Sequence, residues 1–353
     1  MDATTVAVDL AKSVFQLAVA DAQWRIVHKA RLSSVQFQHW FDNRQVGLVI
    51  MEACGSAHHW ARVLQARGIQ VRMLPPRYVR AYVKRNKTDA ADAAALLEAA
   101  RCADIIPVRV KSIEQQCLQA MHRVRSGWMA TRTARINALR GLCREFGLPV
   151  ALGAGAGLKQ IRTLLADEQL PESLRHTLQL LLQEVRELEQ RIADLERQLL
   201  HIARYSAPCQ NLLSVPGIGL LSATALVAAT GGSSSHFRNA RGFASWFGLT
   251  PKEHSSGGTR HLGRISKRGD RYLRMLLTHG ARAVLNAATV ARRAGRQLDP
   301  LRAWALNIAQ RSHHNKATCA LANKLARICF AVLRSHEPYA AGRLAAQPAH
   351  NCA

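Results

Sequence analysis

The stretch VGLVIMEA, from Val46 to Ala53, is an apolar run that contains a single carboxylate, Glu52. An uninterrupted apolar run of this length is typical of a central strand buried on both faces of a sheet. A carboxylate in such a run is costly to bury unless it is paired or bound to a metal ion. The stretch therefore predicts the middle of a sheet and marks one place where chemistry could occur.

The sequence on both sides of this run completes an α/β pattern. Three strand candidates, TTVAVDL, VFQLAVAD and WRIVHKARL, come before it and are followed by the helical stretch SSVQFQHWFDNR. The amphipathic helix SAHHWARVLQARG and the strand QVRMLPP come after it. Periodicity and turn residues give the order βββαβα with a further helix. This is the order of a ribonuclease H-like domain, which we predict for residues 1–110.

Four carboxylates fall where such a fold would gather them. Asp9 ends the first strand and Glu52 ends the apolar strand, while Asp89 and Asp92 are three residues apart in the helical stretch TDAADAAALLEAARCA. Carboxylates that converge from two strands and a helix would bind two hard divalent cations through oxygen. The alternative is that the helical pair are N-terminal acids favoured by the helix dipole and that the other two are surface strand ends.

The charge of the chain points to a polyanionic partner. Lys and Arg number 49 against 23 Asp and Glu, which gives a formal net charge of +26. A field of this sign concentrates nucleic acid, and an anionic membrane surface is the weaker alternative because no apolar run of about 20 residues is present. We expect no membrane association and a cytoplasmic, nucleoid-associated location. The eight cysteines lack metal-ligand spacing, which predicts reduced thiols.

Residues 111–205 combine a basic helix with a heptad repeat. Apolar residues recur in alternating steps of four and three at Leu174, Leu178, Leu181, Val185, Leu188, Ile192, Leu195, Leu199 and Ile202. Such a repeat is typical of a two-stranded coiled coil, so we predict self-association as a dimer or tetramer. The alternative is a helical hairpin with the preceding helix of the same chain.

Basic residues outside the last third predict nucleic-acid contacts. In the helical segment from Ile113 to Phe146, arginines outnumber acids, and we assign nucleic-acid binding to Arg123, Arg132 and Arg135. The alternative is a solvated arginine face. Directly before the paired aspartates, we assign phosphate contacts to Lys84, Arg85 and Lys87.

Residues 206–340 are predicted to form a mostly helical domain that binds a polyanion, followed by a tail at residues 341–353. Residues 206–353 contain 20 Lys and Arg but four acids. Between two helical patterns, PGIG predicts a helix-hairpin-helix-like turn in which Gly217 and Gly219 let backbone N–H groups approach a phosphate. We assign further phosphate contacts to Arg260, Arg264, Lys267 and Arg268.

A loop before these cations carries two serines and two glycines, SSGG at residues 255–258. A serine among arginines is usually a hydrogen-bonding residue of a phosphate-binding surface. The sharper interpretation is a nucleophile that attacks a phosphodiester.

Seven segments in order along the chain resemble one known family. They are VAVDLAKSVFQLAV, VIMEACGSAHHW, RNKTDAADAAALLEAA, SVPGIG, ARGFASWFGLTP, HSSGG and LGRISKRGDRYLR. Together they are similar to the DEDD transposases of the bridge-RNA-guided insertion sequences. The resemblance implies a domain like the Holliday-junction resolvase RuvC, a coiled-coil dimerisation region and a C-terminal transposase domain.

The resemblance also implies a mechanism and its residues. The metal-binding acids fall on Asp9, Glu52, Asp89 and Asp92, with Mg²⁺, as two ions, as the cofactor. The catalytic serine falls on Ser256, with Ser255 as the nearest competitor. Serine would attack DNA to give a covalent intermediate, and a guide RNA would pair with donor and target DNA. Two alternatives remain open: a metal-dependent junction-resolving endonuclease without a serine intermediate, and a non-catalytic nucleic-acid-binding protein.

Overall fold

The chain divides into two compact units in a computed structural model that describes residues 5–83, 89–166 and 170–341, with backbone alone at residues 89 and 90. The first unit comprises Met1–Lys111 and the second comprises Ser112–Ala353.

The first unit is built on a five-stranded mixed sheet. Its strands are β1 (Thr5–Leu10), β2 (Val14–Ala20), β3 (Ile26–Ser33), β4 (Leu48–Glu52) and β5 (Gln70–Leu74). Their spatial order is β3-β2-β1-β4-β5. Strand β2 is antiparallel to β1 and β3, whereas β4 is parallel to β1 and β5. The crossover to β4 therefore places the ends of β1 and β4 at the same edge of the sheet.

Helices cover both faces of this sheet. They are α1 (Ser34–Trp40), α2 (Ala57–Ala66), α3 (Pro76–Val79) and α4 (Asp89–Arg101), with one 3₁₀ turn after α3. On one face, Phe37 of α1 and Trp60 of α2 pack with the strand residues Val8 and Met51. The rings of Phe37 and Trp60 meet edge to face with centroids 5.2 Å apart.

The opposite face of the sheet packs against α4. Here Ala7 and Ile50 contact Leu96 and Leu97 of the helix, all of them fully or almost fully buried. The two faces use alternate residues of each strand because the side-chain period of a strand is two. Every predicted strand and helix of this unit forms close to its expected bounds, and the order is consistent with a DEDD nuclease-like fold.

The second unit is largely helical. Its elements are α5 (Ile113–Glu145), α6 (Ala154–Leu164), α7 (Glu172–Arg204), α8 (Ala207–Leu213), α9 (Leu220–Thr230), α10 (Ala240–Trp246), β6 (Pro251–Glu253), β7 (Leu262–Ile265), α11 (Arg271–Arg293), α12 (Pro300–Arg311) and α13 (His314–Ser335). Helices α8, α9, α10, α11, α12 and α13 together form one hydrophobic core. Across the described ranges of both units, no helix is long and apolar enough to cross a membrane.

The two longest helices pack against each other as an antiparallel hairpin within one chain. Ion pairs join Arg125 to Glu196 and Arg132 to Glu189, so residue numbers rise along α5 as they fall along α7. The heptad positions Val185 and Leu188 are buried by this packing. The helical hairpin, which was the alternative interpretation of the repeat, is therefore present, because α5 supplies an apolar partner face for α7. Self-association stays a prediction.

The buried stripe of α7 also departs from a strict heptad. Leu182 is buried while Leu181 is only partly so, and Ala203 is buried while Ile202 is 38% exposed. A straight helix has 3.6 residues per turn, so its buried face drifts away from a seven-residue repeat. This drift fits a straight α7 that packs on several helices of the same chain, α5, α8 and α9.

A buried hydrogen-bond network joins three helices of the second unit. His122 of α5 contacts Tyr272 Oη of α11 through Nδ1 at 3.0 Å and Thr224 Oγ1 of α9 through Nε2 at 3.1 Å. Burial, and then the nearby charge of Arg125, lowers the pKa of His122 to about 4. The imidazole is therefore neutral in the folded protein at neutral pH.

This low pKa predicts a pH-dependent loss of stability. The unfolded chain binds a proton on His122 near pH 6.5, but the folded chain does so only near pH 4, so stability is complete above pH 6.5 and is lost as the pH falls towards 4. Between pH 7.5 and pH 5 this group should lower the free energy of unfolding by about 2 kcal/mol. Urea unfolding at both pH values should show that a His122→Gln variant, although less stable at pH 7.5, lacks this component. An equal pH effect in both proteins would contradict it.

Candidate active site

Pairing between β1 and β4 brings two of the predicted carboxylates side by side. The last paired residues of the two strands are Val8 and Met51, and Asp9 and Glu52 come next in each strand. Because Ala7 and Ile50 face α4, the alternation of the strands directs both carboxylates to that same face. Both side chains are half-buried.

Helix α4 brings a third carboxylate to this face. The helix begins at Asp89, and Asp92 lies in its first turn with a half-buried side chain. The following residues, among them Ala93 and Leu96, pack on the sheet. The N-terminal turn of α4 therefore lies on the face that carries Asp9 and Glu52.

Part of the predicted site lies outside the described residues. This applies to the side chain of Asp89 and to Lys84, Arg85 and Lys87. Among the side chains that the structure describes, no group of three or more His, Cys, Asp or Glu could hold a metal ion. The four-carboxylate cluster therefore stays a prediction.

The loop with two serines is the tip of a β-hairpin in the second unit. Strands β6 and β7 pair antiparallel, and a further bridge joins Ser256 to Thr259 across the glycines. Gly257 and Gly258 have φ angles of 56° and 77°. Positive φ at both central residues is the requirement of a type I′ turn, which glycine meets at no steric cost. The sequence thus builds a tight turn here rather than a flexible loop.

The two serines have different surroundings. Ser255 Oγ donates a hydrogen bond to Glu253 Oε1 at 2.8 Å and accepts one from the backbone N–H of His261 at 3.2 Å. Arg260 Nε donates to the same carboxylate oxygen at 3.2 Å. The hydroxyl of Ser256, in contrast, is exposed and makes no hydrogen bond to any described residue.

Glu253 is a member of this cluster that the sequence interpretation did not single out. The hydrogen bond from Ser255 and then that from Arg260 lower the pKa of the Glu253 carboxyl, so the group is ionised at neutral pH. The signal was available in the spacing, because residues 253 and 255 are two apart in an extended segment and so lie on one side of it.

The predicted phosphate-binding cations of the hairpin are available to a ligand. Arg264, Lys267 and Arg268 are exposed, and their side chains have no partner among the described residues. The nearby acids are already engaged: Glu253 binds Arg260, and Asp270 accepts a hydrogen bond from the N–H of Leu273 as the N-cap of α11. The surface is therefore left with uncompensated positive charge.

The basic helix α5 gives a different result. Arg132 and Arg135 form ion pairs with Glu189 and Glu184 of α7, and the Nε–Oε2 distance of the second pair is 2.6 Å. Helix α7 thus supplies compensating acids that α5 itself lacks, and the predicted contacts of Arg132 and Arg135 with nucleic acid stay predictions. Arg123 is exposed and has no partner within the described ranges, so its predicted contact with nucleic acid stays open.

The PGIG turn joins α8 to α9 and packs closely on α11. A Cβ atom on Gly217, whose φ is +84°, would lie 2.7 Å from the carbonyl oxygen of Gly280 and 2.7 Å from Cγ2 of Val284. Gly219 is the N-cap of α9, is exposed and has no atom within 4 Å of such a Cβ. Close packing thus explains one glycine, while a phosphate contact for either stays a prediction.

Comparison with known proteins assigns the family. A family model described as Transposase IS116/IS110/IS902 family matches residues 209–295, and a DEDD transposase model of the IS110 group matches residues 6–147. A probable family 20 transposase of Pseudomonas aeruginosa is 45% identical over 97% of this chain and 100% of its own length. The chain belongs to the IS110/IS116 family of transposases.

Two further relatives are named after the elements that encode them. The transposase for insertion sequence element IS1111A of Coxiella burnetii is 37% identical over 97% of this chain and 92% of its own. The transposase for IS1328 of Yersinia enterocolitica is 33% identical over 93% of this chain and 96% of its own. The resemblance drawn from the seven segments is confirmed, and membership implies an insertion-sequence transposase that cleaves and recombines DNA.

The two glycines of the PGIG turn provide a matched test that distinguishes a structural packing role from contact with a phosphate. Gly217→Ala should lower the free energy of unfolding of the transposase by at least about 2 kcal/mol, because the new methyl group meets backbone and φ is positive. Gly219→Ala, where φ is −95° and space is open, should change it by less than about 1 kcal/mol. Chemical denaturation measures both, and equal losses would contradict the packing assignment.

The arginines provide a second matched pair. Arg264→Gln should weaken binding of DNA and lower the slope of log K against log salt by about one, because it removes a free cation. Arg135→Gln should leave that slope unchanged, because its guanidinium is already paired with Glu184 and is not free to contact a phosphate. Fluorescence anisotropy with labelled DNA measures the slopes, and the opposite ranking would overturn the assignment.

Proposed function

We propose that this transposase recombines donor and target DNA through a covalent serine–DNA intermediate, with Ser256 as the nucleophile. The observation that carries the proposal is the contrast at the hairpin tip, where Ser255 is held by two hydrogen bonds and the Ser256 hydroxyl is exposed and unengaged by described residues. A nucleophile must reach a phosphorus atom from outside, and the tip of a tight turn surrounded by cations suits that task.

The chemistry at this serine is a transesterification. Ser256 Oγ forms a bond to phosphorus, the bond from phosphorus to one deoxyribose oxygen breaks, and the serine proton leaves with that oxygen as a hydroxyl. Attack by a deoxyribose hydroxyl of the exchanged strand reverses the step and restores the serine. Free cations such as Arg264 and Arg268 are suited to stabilise negative charge on the phosphoryl oxygens.

The acidic face of the first unit is proposed to act with Mg²⁺, as two ions. Asp9 and Glu52 lie on one face of the sheet beside the first turn of α4, which carries Asp92, and the fourth proposed ligand is Asp89. An all-carboxylate donor set fits a hard cation that prefers oxygen. When bound, the ions supply electrostatic activation and positioning of a phosphate. The carboxylates themselves would hold the ions at the edge where β1 and β4 end.

Guidance by an RNA is proposed from family membership and from the distribution of charge. In the second unit, exposed cations without partners among the described residues flank the hairpin, and Glu253 and Asp270 near them are engaged locally. Such a surface would follow phosphate backbones, while base pairing between the guide RNA and both DNA strands would select sequence. Self-association as a dimer or tetramer would need a surface other than the α7 stripe, which α5 already covers.

A denaturing gel tests the serine intermediate. The transposase is incubated with Mg²⁺, its co-purified RNA and labelled DNA that spans an element junction. We expect a slow-migrating, protease-sensitive DNA band with the wild type and with Ser255→Ala, reduced in the latter, and none with Ser256→Ala because its nucleophile is absent. Asp92→Asn should also abolish the band by removing one proposed metal ligand.

The two serine variants are matched controls for each other, because they are neighbours with the same chemical change. Loss of the band in Ser255→Ala with its retention in Ser256→Ala would move the nucleophile by one residue. Cleaved DNA without any adduct, unaffected by Ser256→Ala, would refute the serine mechanism and favour a metal-dependent endonuclease.

A further inference from the structure

Strand β3 extends the row of residues that contains the acidic face. The register pairs Asp9 of β1 with Gln16 of β2, and Gln16 with Arg31 of β3. On the other side of Asp9, Glu52 follows the last pair between β1 and β4. Paired residues on neighbouring strands project to the same face. Arg31, Gln16, Asp9 and Glu52 thus form one row across four strands.

A second cation on β3 lies on the same face. Lys29 pairs with Ala18 of β2, which contributes to the core beneath α4. Lys29 and Arg31 are two residues apart, so both project to this face. In contrast, Ala30 and Leu32 belong to the core of the opposite face.

These two cations are not neutralised by the fold. Both side chains are exposed, and within the described part of the chain neither has an ion-pair or hydrogen-bond partner. The neighbouring residues of β2 on this face are uncharged, namely Gln16 and Ala18. The nearest acid along the chain, Asp21, binds Arg25.

The spacing suits a nucleic-acid strand that continues to the acids. Two interstrand steps separate the backbone of Arg31 from that of Asp9, about 10 Å at roughly 4.8 Å per step. Stacked nucleotides in one strand rise by about 3.4 Å, so this distance corresponds to about three nucleotides. A long arginine side chain can hold a phosphate bidentately, which would fix the path of the strand rather than its sequence.

We propose that Lys29 and Arg31 form a phosphate-binding track for the DNA strand that enters the acidic site, with the strand crossing the sheet from the β3 edge towards β1 and β4. The proposal rests on the proposed function in that Asp9 and Glu52 are taken as part of the reaction centre. Lys29 and Arg31 are positioning residues: they hold the strand and do not touch the reacting phosphorus.

The alternative is that Lys29 and Arg31 only protect the exposed edge strand β3 from pairing with strands of other chains. Strand β3 lies at the edge of the sheet, and basic side chains on edge strands prevent pairing with other chains. That role requires charge but no ligand. It predicts that removal of the two cations causes aggregation and leaves DNA binding unchanged.

The test compares the full-length transposase with a Lys29→Gln/Arg31→Gln variant. Binding to junction-spanning DNA is measured by anisotropy in EDTA at several salt concentrations, which removes any dependence on catalysis. We expect the slope of log K against log salt to fall by about 1.4 to 1.8, since each of the two phosphate contacts contributes about 0.7 to 0.9. Under turnover conditions, the DNA concentration for half-maximal strand joining should rise on the order of tenfold, with little change in the maximal rate.

Three controls make the result specific. Arg101→Gln removes one exposed cation of the same unit near the far end of α4, roughly 14 Å along the helix from Asp92, and should leave the slope unchanged. His28→Gln introduces the same new residue into β3 without removing Lys29 or Arg31, and should leave the slope unchanged. Arg31→Lys in the otherwise unchanged chain should retain most of the binding, because it keeps the charge.

Each outcome decides the proposal. An unchanged salt slope, with or without aggregation in light scattering, would overturn it, and a slope that falls for RNA of the same sequence but not for DNA would assign the track to the guide. Thermal unfolding at the wild-type temperature verifies that the variant is folded. Failure of the acidic site is distinct: Asp9→Asn would then leave strand joining intact, whatever the slope of the β3 variant.

Discussion

The parallel pairing of β1 with β4 is the constraint on which the first unit depends. It places the ends of both strands at one edge and, because side chains alternate, turns Asp9 and Glu52 to the same face. The small residue Ala7 and the apolar Ile50, two residues earlier in each strand, allow α4 to lie close against that face. The position of Asp92 follows from this packing. A slip of one residue between the two strands would send one carboxylate to the opposite core.

The whole chain has a net charge of +26, and its positive charges repel one another in the folded state. In the second unit this charge is compensated in one region and left uncompensated in another. In the helical hairpin, arginines of α5 meet glutamates of α7, so that segment is nearly self-compensating. Around the β6–β7 hairpin the opposite holds, because Asp270 is engaged as a helix N-cap and Glu253 is paired with Arg260, which leaves the other exposed cations unopposed. Positive charge is thus concentrated where a backbone-binding surface is proposed.

Much of this architecture could be predicted from the sequence. The features that could not be predicted depend on contacts between residues distant in the chain or on hydrogen bonds formed only in the fold. Short apolar runs identified the strands around Val8 and Ile50, because these central strands are buried on both faces of the sheet. Periodicity could not say what covers the α7 stripe, since α5 and a second copy of α7 offer similar apolar faces. The paired acids were accessible from spacing and charge. The roles of Gly217 and of Ser255 were not, because they depend on the close approach of Gly280 and on a carboxylate two residues upstream in a hairpin.

Two of the three ion pairs of the helical hairpin are separated by the same interval on both helices, which has a consequence for its length. From the Arg125–Glu196 pair to the Arg132–Glu189 pair, both helices advance by seven residues, or close to two turns. Loss of one such interval from each helix would bring the remaining contacts back into register. The hairpin is therefore a spacer whose reach can change in steps of about 10 Å, and related chains can differ in the length of this segment while they keep the same interhelical interface.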